Sequence, residues 1–171
     1  VSKTSLLSNI DSPTEEQIKQ NMGTFLKKYF KVIKDCGTEF SNNTSACFAD
    51  KYTNLNDDET YPVSGGAGGY SVITADGTSM AMGIGYAGIP EVVVDINGPK
   101  RPNVGGRDLF SFSIYYDGSI EDGIAPSYRQ GQQLISAYEA REIKFEEFCF
   151  SMSYGQGCFG KILNDNWKMD Y

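Results

Sequence analysis

The chain has 171 residues, 40% of them hydrophobic and 22% charged, which suits one soluble domain with its own core. Its formal charge of −7 and sequence pI near 4.6 exclude the clustered Lys and Arg face that a phosphate backbone requires, so no nucleic acid is expected as a partner. The absence of histidine removes the commonest general base, the usual catalytic metal ligand and the Ser-His and Cys-His nucleophile pairs.

The first structural signal is Ser12-Pro13-Thr14-Glu15, which reads as a capping box with Ser12 at the N-cap and Pro13 at the first helical position. Ile18, Met22, Phe25, Tyr29, Ile33 and Cys36 then recur at steps of three and four, predicting an amphipathic helix over about 13–36 that ends at a Gly37 C-cap. Lys27, Lys28, Lys31 and Lys34 form its wet side. Beyond it, Cys36 and Cys47 flank a polar loop in which Asn42 and Asn43 match Asn-x-Ser/Thr, a motif common by chance in such loops. Asp57, Asp58 and Glu59 read as a solvated acidic loop. The glycine-rich run 64–69 lacks the Gly-Lys-Ser/Thr ending and following helix of a phosphate cradle and reads as a turn.

Strands are expected at 70–74 and 79–86 around an Asp76-Gly77 turn, then at 92–94 and 109–116. Between the last two lies loop 95–108, which holds two prolines, three glycines and the turn-forming pair Asn97-Gly98. This long-looped hairpin is the piece around which the chain is organised. Residues 121–129 read as a loop, and 132–148 fits either a short helix or an extended segment. The close is a cysteine-bounded stretch, Cys149 to Cys158, then Phe159, Ile162, Leu163, an Asn164-Asp165-Asn166 turn and Trp167 to Tyr171, expected to form a final hairpin. The sheet and its loops span about 60–171, giving an α+β fold in which the helix packs on an antiparallel sheet.

The four cysteines, Cys36, Cys47, Cys149 and Cys158, have no C-x-x-C spacing and no histidine partners, so disulfides are expected. They fall into two local pairs, although four cysteines allow three pairings. Disulfides imply an oxidising compartment. No run of about eighteen apolar residues is present, so neither a membrane span nor a signal peptide is expected within the chain as given.

The stretch VVVDINGPKRPNVGGRDLFSFSI resembles the valine-rich strand, Asp-x-Asn-Gly, Pro-Asn and Gly-x-Asp-x-Phe run of type IV pilin-like proteins, and the cysteine-closed loop with a terminal Met169-Asp170-Tyr171 is similar to their ending. The resemblance implies a pilin-like fold, disulfide-stabilised, and a structural role as a pilin or type II secretion pseudopilin subunit. It implies partners that are other pilin or pseudopilin subunits, and the inner membrane, reached through an N-terminal helix. It also implies a place in the periplasm or on the cell surface, membrane-anchored before assembly. The basic leader, the Gly-Phe-Thr-Leu-x-Glu junction and the apolar helix of that family are not in this sequence, and Cys36 with Cys47 does not match its pattern.

Asp95, Asn97, Asn103 and Asp108 gather hard oxygen ligands in one glycine-containing loop, a ligand set suited to Ca2+ though without EF-hand spacing. The simpler account has Asp95 and Asn97 making turn hydrogen bonds, with Asp108 doing the same or pairing with Arg101 or Arg107. No catalytic residue and no other cofactor is expected. Glu139, Glu142, Glu146 and Glu147 read as a solvated face rather than a glycosidase pair. A secreted adhesive or carbohydrate-binding module is the alternative, with aromatic side chains as stacking platforms.

Overall fold

The computed structural model describes residues 14–38, 40–41, 44–60, 69–85, 88–123, 129–131 and 133–171. The first helix, α1 (Glu15–Tyr29), is capped by Thr14, whose Oγ1 accepts from the Gln17 N–H at 3.3 Å while the Thr14 N–H donates to Gln17 Oε1 at 2.8 Å. Glu15 and Glu16 in its first turn and Lys27 and Lys28 in its last complement the helix dipole. The capping box therefore sits at Thr14 and Gln17 instead of Ser12 and Glu15, and Ser12 and Pro13 lie outside the described residues.

The helix is also shorter than the spacing predicts. Phe30 is already extended, and residues expected to finish the helix form strand β1 (Val32–Gly37) instead. The physical reason is burial: Met22 and Leu26 are buried, but Tyr29 and Ile33 are 59% and 64% exposed, so no buried residue continues the helical stripe past Leu26. Val32 and Ile33 are β-branched and suit a strand, and β1 gains a ladder by pairing with the strand over Tyr70–Thr74. Gly37, at φ +63°, closes that strand rather than a helix.

Two short ribbons follow, β2 (Phe40–Ser41) with β3 (Thr44–Ser45) and β4 (Tyr52–Thr53) with β5 (Glu59–Thr60). The main sheet then builds in sequence order from β6 (Tyr70–Thr74), β7 (Ser79–Ile84), β8 (Pro90–Asp95), β9 (Leu109–Ile114) and β10 (Ile120–Glu121). With β1 outside β6 it is six-stranded and antiparallel throughout. Glu121, expected in a loop, thus belongs to an edge strand. A last ribbon pairs β11 (Arg129–Gln130) with β12 (Gln133–Leu134).

Strand alternation sends neighbouring residues to opposite faces. Val72, Met82 and Val92 pack with Tyr70 beneath Met22 and Leu26 of α1. Ala81, Val93 and Leu109 face the other way and pack with Cys47, Phe48, Ala49 and Tyr52. Gly23 lets the helix approach closely, since a Cβ there would lie 2.3 Å from the Tyr70 ring.

The C-terminal part is helical. α2 (Ala137–Phe148) starts at a Ser136–Glu139 capping box, so of the stretch read as either helix or extended the part over 137–148 is helical, while 133–134 is extended in β12. After a 3-10 turn, Ser153–Gly155, comes α3 (Cys158–Asn164), where a hairpin strand was expected; residues 165–171 form no strand either. The helix wins because its Gly160 N–H is received by the buried Asp122 carboxylate at 3.1 Å and its Asn164 amide donates to Glu142 and to the Tyr138 carbonyl of α2. Phe159 stacks on Phe112 at 4.7 Å, joining this layer to the sheet. Arg141 grips Glu121 through two hydrogen bonds of 2.6 and 2.8 Å, tying α2 to β10.

The disulfides are Cys36–Cys47 and Cys149–Cys158, with Cα separations of 6.0 and 4.7 Å. Both point to an oxidising, extracytoplasmic environment. No helix among the described residues is long and apolar enough to cross a membrane. The expected turn at 64–68 and the Asn42 and Asn43 motifs fall outside the described residues.

Candidate functional site: the loop between β8 and β9

Loop 95–108 joins the two central strands of the organising hairpin, whose register pairs Asp95 with Leu109 and Val93 with Ser111. Asp95 is the last residue of β8 and is completely buried. Its Oδ2 accepts from the Tyr52 hydroxyl at 2.5 Å, and its Oδ1 accepts from the Asn97 N–H at 3.2 Å. The Gly98 N–H returns to the Asp95 carbonyl at 3.2 Å, completing a turn in which Gly98 has φ +66°. No larger residue fits, because a Cβ at Gly98 would lie 2.6 Å from the Gly77 carbonyl oxygen.

Asp108 closes the loop and is 3% exposed. Its Oδ1 accepts from the Val104 N–H at 2.6 Å, whereas Oδ2 is buried without a hydrogen-bond partner. Neither Arg101 nor Arg107 forms an ion pair with it, so of the two accounts given for Asp108 the side-chain-to-backbone turn hydrogen bond is the one formed. Asn97 donates from Nδ2 to the Pro102 carbonyl at 3.1 Å, and its Oδ1 is buried without a partner as well. Asn103 is engaged with the loop backbone: its main-chain carbonyl accepts from the Thr53 N–H at 2.9 Å, and its side-chain amide, once oxygen and nitrogen are exchanged to suit the acceptors around it, donates to the Lys100 and Pro102 carbonyls at 2.7 and 3.2 Å. Of the four oxygen-bearing residues predicted as a set, Asp95, Asn97 and Asp108 are thus gathered around one buried acidic spot, while Asn103 frames the loop.

The electrostatics follow from burial. Desolvation pushes the Asp95 carboxyl up to about 6; the Tyr52 hydroxyl opposes the shift and the negative charge of Asp108 adds to it. Asp108 is raised by burial too, opposed first by the Val104 N–H. Burial, together with the hydrogen bond to Asp95, drives the Tyr52 phenol far above its ordinary range, so it keeps its proton and donates it to Asp95.

Three other segments converge on this loop. Thr53 brackets it, with the Gly105 N–H donating to the Thr53 carbonyl at 2.8 Å. The Tyr171 hydroxyl donates to the Gly106 carbonyl at 2.9 Å. Gly105 and Gly106 lie so close to Gly155 and to the Cys158 sulfur that neither position has room for a Cβ. An open groove of about 900 Å3 runs alongside, lined by Tyr52, Thr53, Pro99, Arg101 and Asn103 among others.

The remaining acidic residues have structural roles or face solvent. Glu139 caps α2, Glu142 receives Lys161 and Asn164, and Glu146 and Glu147 are exposed on α2. A second cleft, of about 270 Å3, is walled by Glu91, Asp122 and Lys144 with Phe112 and Phe148. The sequence reading missed Tyr52, Glu91 and Asp122, and no local pattern marks them: Tyr52 meets Asp95 across 43 residues. Among the described residues no group of three or more His, Cys, Asp or Glu is arranged to hold a metal ion. Comparison with protein-family models, curated proteins and solved structures gives no match.

Proposed function

We propose that the chain is the extracytoplasmic head of a filament subunit, a pilin or type II secretion pseudopilin, whose task is assembly rather than catalysis. The observation that carries this reading is the arrangement around the hairpin bearing the Asp-x-Asn-Gly and Gly-x-Asp-x-Phe run. A capped N-terminal helix lies on one face of an antiparallel sheet, and the cysteine-closed C-terminal turn and terminal Tyr171 return to the hairpin loop. These are the two stretches that carry the resemblance, and the fold brings them together. The two disulfides are consistent with a subunit that matures outside the cytoplasm. Neighbouring subunits and the inner membrane are the partners this reading requires.

The test is the coding sequence upstream of Val1, together with the location of the protein in sheared cell-surface fractions. A short basic leader, a prepilin-type junction and about twenty apolar residues are expected there. A plain signal peptide or an unrelated soluble domain overturns the reading. One observation favours a second account, a secreted glycan-binding module: Trp167 is 70% exposed and sits edge-on to Phe159, a ready stacking platform. Saturable binding on a glycan array, lost in Trp167→Ala, would favour that account.

A further inference from the structure

We propose that the cleft walled by Glu91, Asp122 and Lys144 binds a primary alkylammonium group, with Glu91, Ser111 and Ser113 receiving its three hydrogens and Phe148 and Met152 flanking its carbon stem. The proposal goes beyond the filament reading and does not rest on it.

Strand register builds one wall. In the β8–β9 ladder Glu91 lies opposite Ser113, and Val93 lies opposite Ser111. Cross-strand partners share a face, as do residues two apart on one strand, so Glu91, Ser111 and Ser113 stand on the same side of the sheet. It is the side turned away from α1, which packs on Val92. Asp122, Lys144 and Phe148 of α2, Met152 and the turn at Gln156 and Gly157 complete the walls around about 270 Å3.

Charge is unbalanced inside this space. Glu91 is half-buried, and among the described residues no Lys or Arg pairs with its carboxylate and no donor reaches it. Burial raises that carboxyl above the ordinary glutamate range with nothing to offset the shift. Asp122, 3% exposed, is the second acid, but its carboxylate is already engaged by the Gly160 N–H at 3.1 Å and by the N–H groups of Gly157 and Phe159. Lys144 holds its Nζ 4.5 Å from the centre of the Phe148 ring and forms no ion pair among the described residues. Two acids against one lysine leave the lining one negative charge in excess, which a single cation balances.

The hydroxyls point to the kind of cation. Ser111 is 3% exposed, and its side chain has no hydrogen-bond partner among the described residues. Buried polar groups rarely go unpaired, because each forfeits its hydration. The half-buried Ser113 hydroxyl is without a partner among them too. Water would serve both hydroxyls but bring no charge to Glu91. An ammonium has three N–H donors and no acceptor, which matches one carboxylate and two hydroxyls, whereas a guanidinium presents five donors in a flat fork. Ca2+ and Mg2+ ask for about six or more oxygens, beyond what these three side chains offer. The Phe148 ring and the Met152 thioether supply apolar surface for a short carbon chain.

The test follows the amide proton–nitrogen correlation spectrum of the full chain, at constant ionic strength, during titration with n-butylammonium chloride. Saturable shifts at millimolar concentration or below are expected, centred on Ser111, Ser113, Asp122 and Gly157. Tetramethylammonium, which has no N–H, and butanol, which has no charge, should each bind roughly tenfold more weakly or worse. Glu91→Gln keeps the shape and removes the charge. It should lose roughly tenfold or more in affinity while melting no lower than the wild type. Ser111→Ala should lose severalfold, and with the wild-type titration it decides the matter if Glu91→Gln fails to fold. Nα-acetyl-lysine methylamide presents the same ammonium on a peptide. Tighter binding than n-butylammonium at the same amides supports the proposal with a partner protein's lysine as the source, and weaker binding supports it with a free amine. Absence of saturation, unchanged affinity in Glu91→Gln, or tetramethylammonium binding as well as n-butylammonium overturns it.

Discussion

Tyr52 and Asp95, 43 residues apart, meet in the core through a hydrogen bond of 2.5 Å from the phenol to the carboxylate. The same hydroxyl accepts from the Ala49 N–H at 3.2 Å, so one oxygen links the segment after Cys47 to the end of β8. Tyr52→Phe leaves the ring in place but strips Asp95 of its strongest donor and Ala49 of its acceptor. A loss of about 1–3 kcal/mol is expected from the buried groups left unsatisfied, read as a lower urea midpoint with unchanged slope. A loss below about 0.5 kcal/mol would mean that water replaces the phenol oxygen without penalty.

Gly23 lies in the middle of α1, where glycine costs about 1 kcal/mol relative to alanine. Helix propensity alone therefore predicts that Gly23→Ala stabilises the protein. Packing predicts the opposite, because the new methyl would sit 2.3 Å from the Tyr70 ring, and the hydroxyl of that ring is tied to Lys27 and Asp35 at 2.8 Å each. Overpacking is expected to prevail, with a net loss of about 1–3 kcal/mol and a lower melting temperature. A raised melting temperature would show that Tyr70 moves aside freely.

Asp122 yields a prediction in pH. Burial raises its carboxyl from 3.8 to about 6, against the N–H groups of Gly157, Gly160 and Phe159. The folded state therefore holds a proton that the unfolded chain has released between those values. The associated stability is fully present below about pH 4 and is lost as pH rises through about 6. Asp122→Asn lacks this titration. Relative to the variant, the wild type should be more stable at about pH 4 than at about pH 7, by up to about 3 kcal/mol. Denaturant melts of both proteins at the two pH values measure it, and parallel profiles would refute the assignment.

Residues on the same strand were legible when alternation alone decided their fate. The hairpin with Asp76-Gly77 and the β8–β9 pair stand where β-branched runs and turn dipeptides put them, because strand propensity and turn chemistry act within a few residues. The gathering of Asp95, Asn97 and Asp108 was also visible in part, since one hairpin loop confines them. Ile33 and Cys36 were read on the wrong period. Their spacing satisfies a helix, but whether a periodic stripe is helical depends on a core to receive it, and beyond Leu26 the partner on offer was strand β6.

The C-terminal segment makes the same distinction more sharply. Ile162, Leu163 and the Asn164-Asp165-Asn166 run are compatible with a hairpin, and nothing local reveals that Asp122 lies in wait to cap a helix at Gly160. By itself the sequence determined composition, acidity, the lack of histidine chemistry, cysteines suited to disulfides, and the turns and strands written in adjacent residues. Tertiary structure alone decided where α1 stops, that residues 158–164 are helical, and that Tyr52 meets Asp95. Each of those outcomes turns on burial by a partner far away in sequence, and burial is a property of the assembled core that no local window contains.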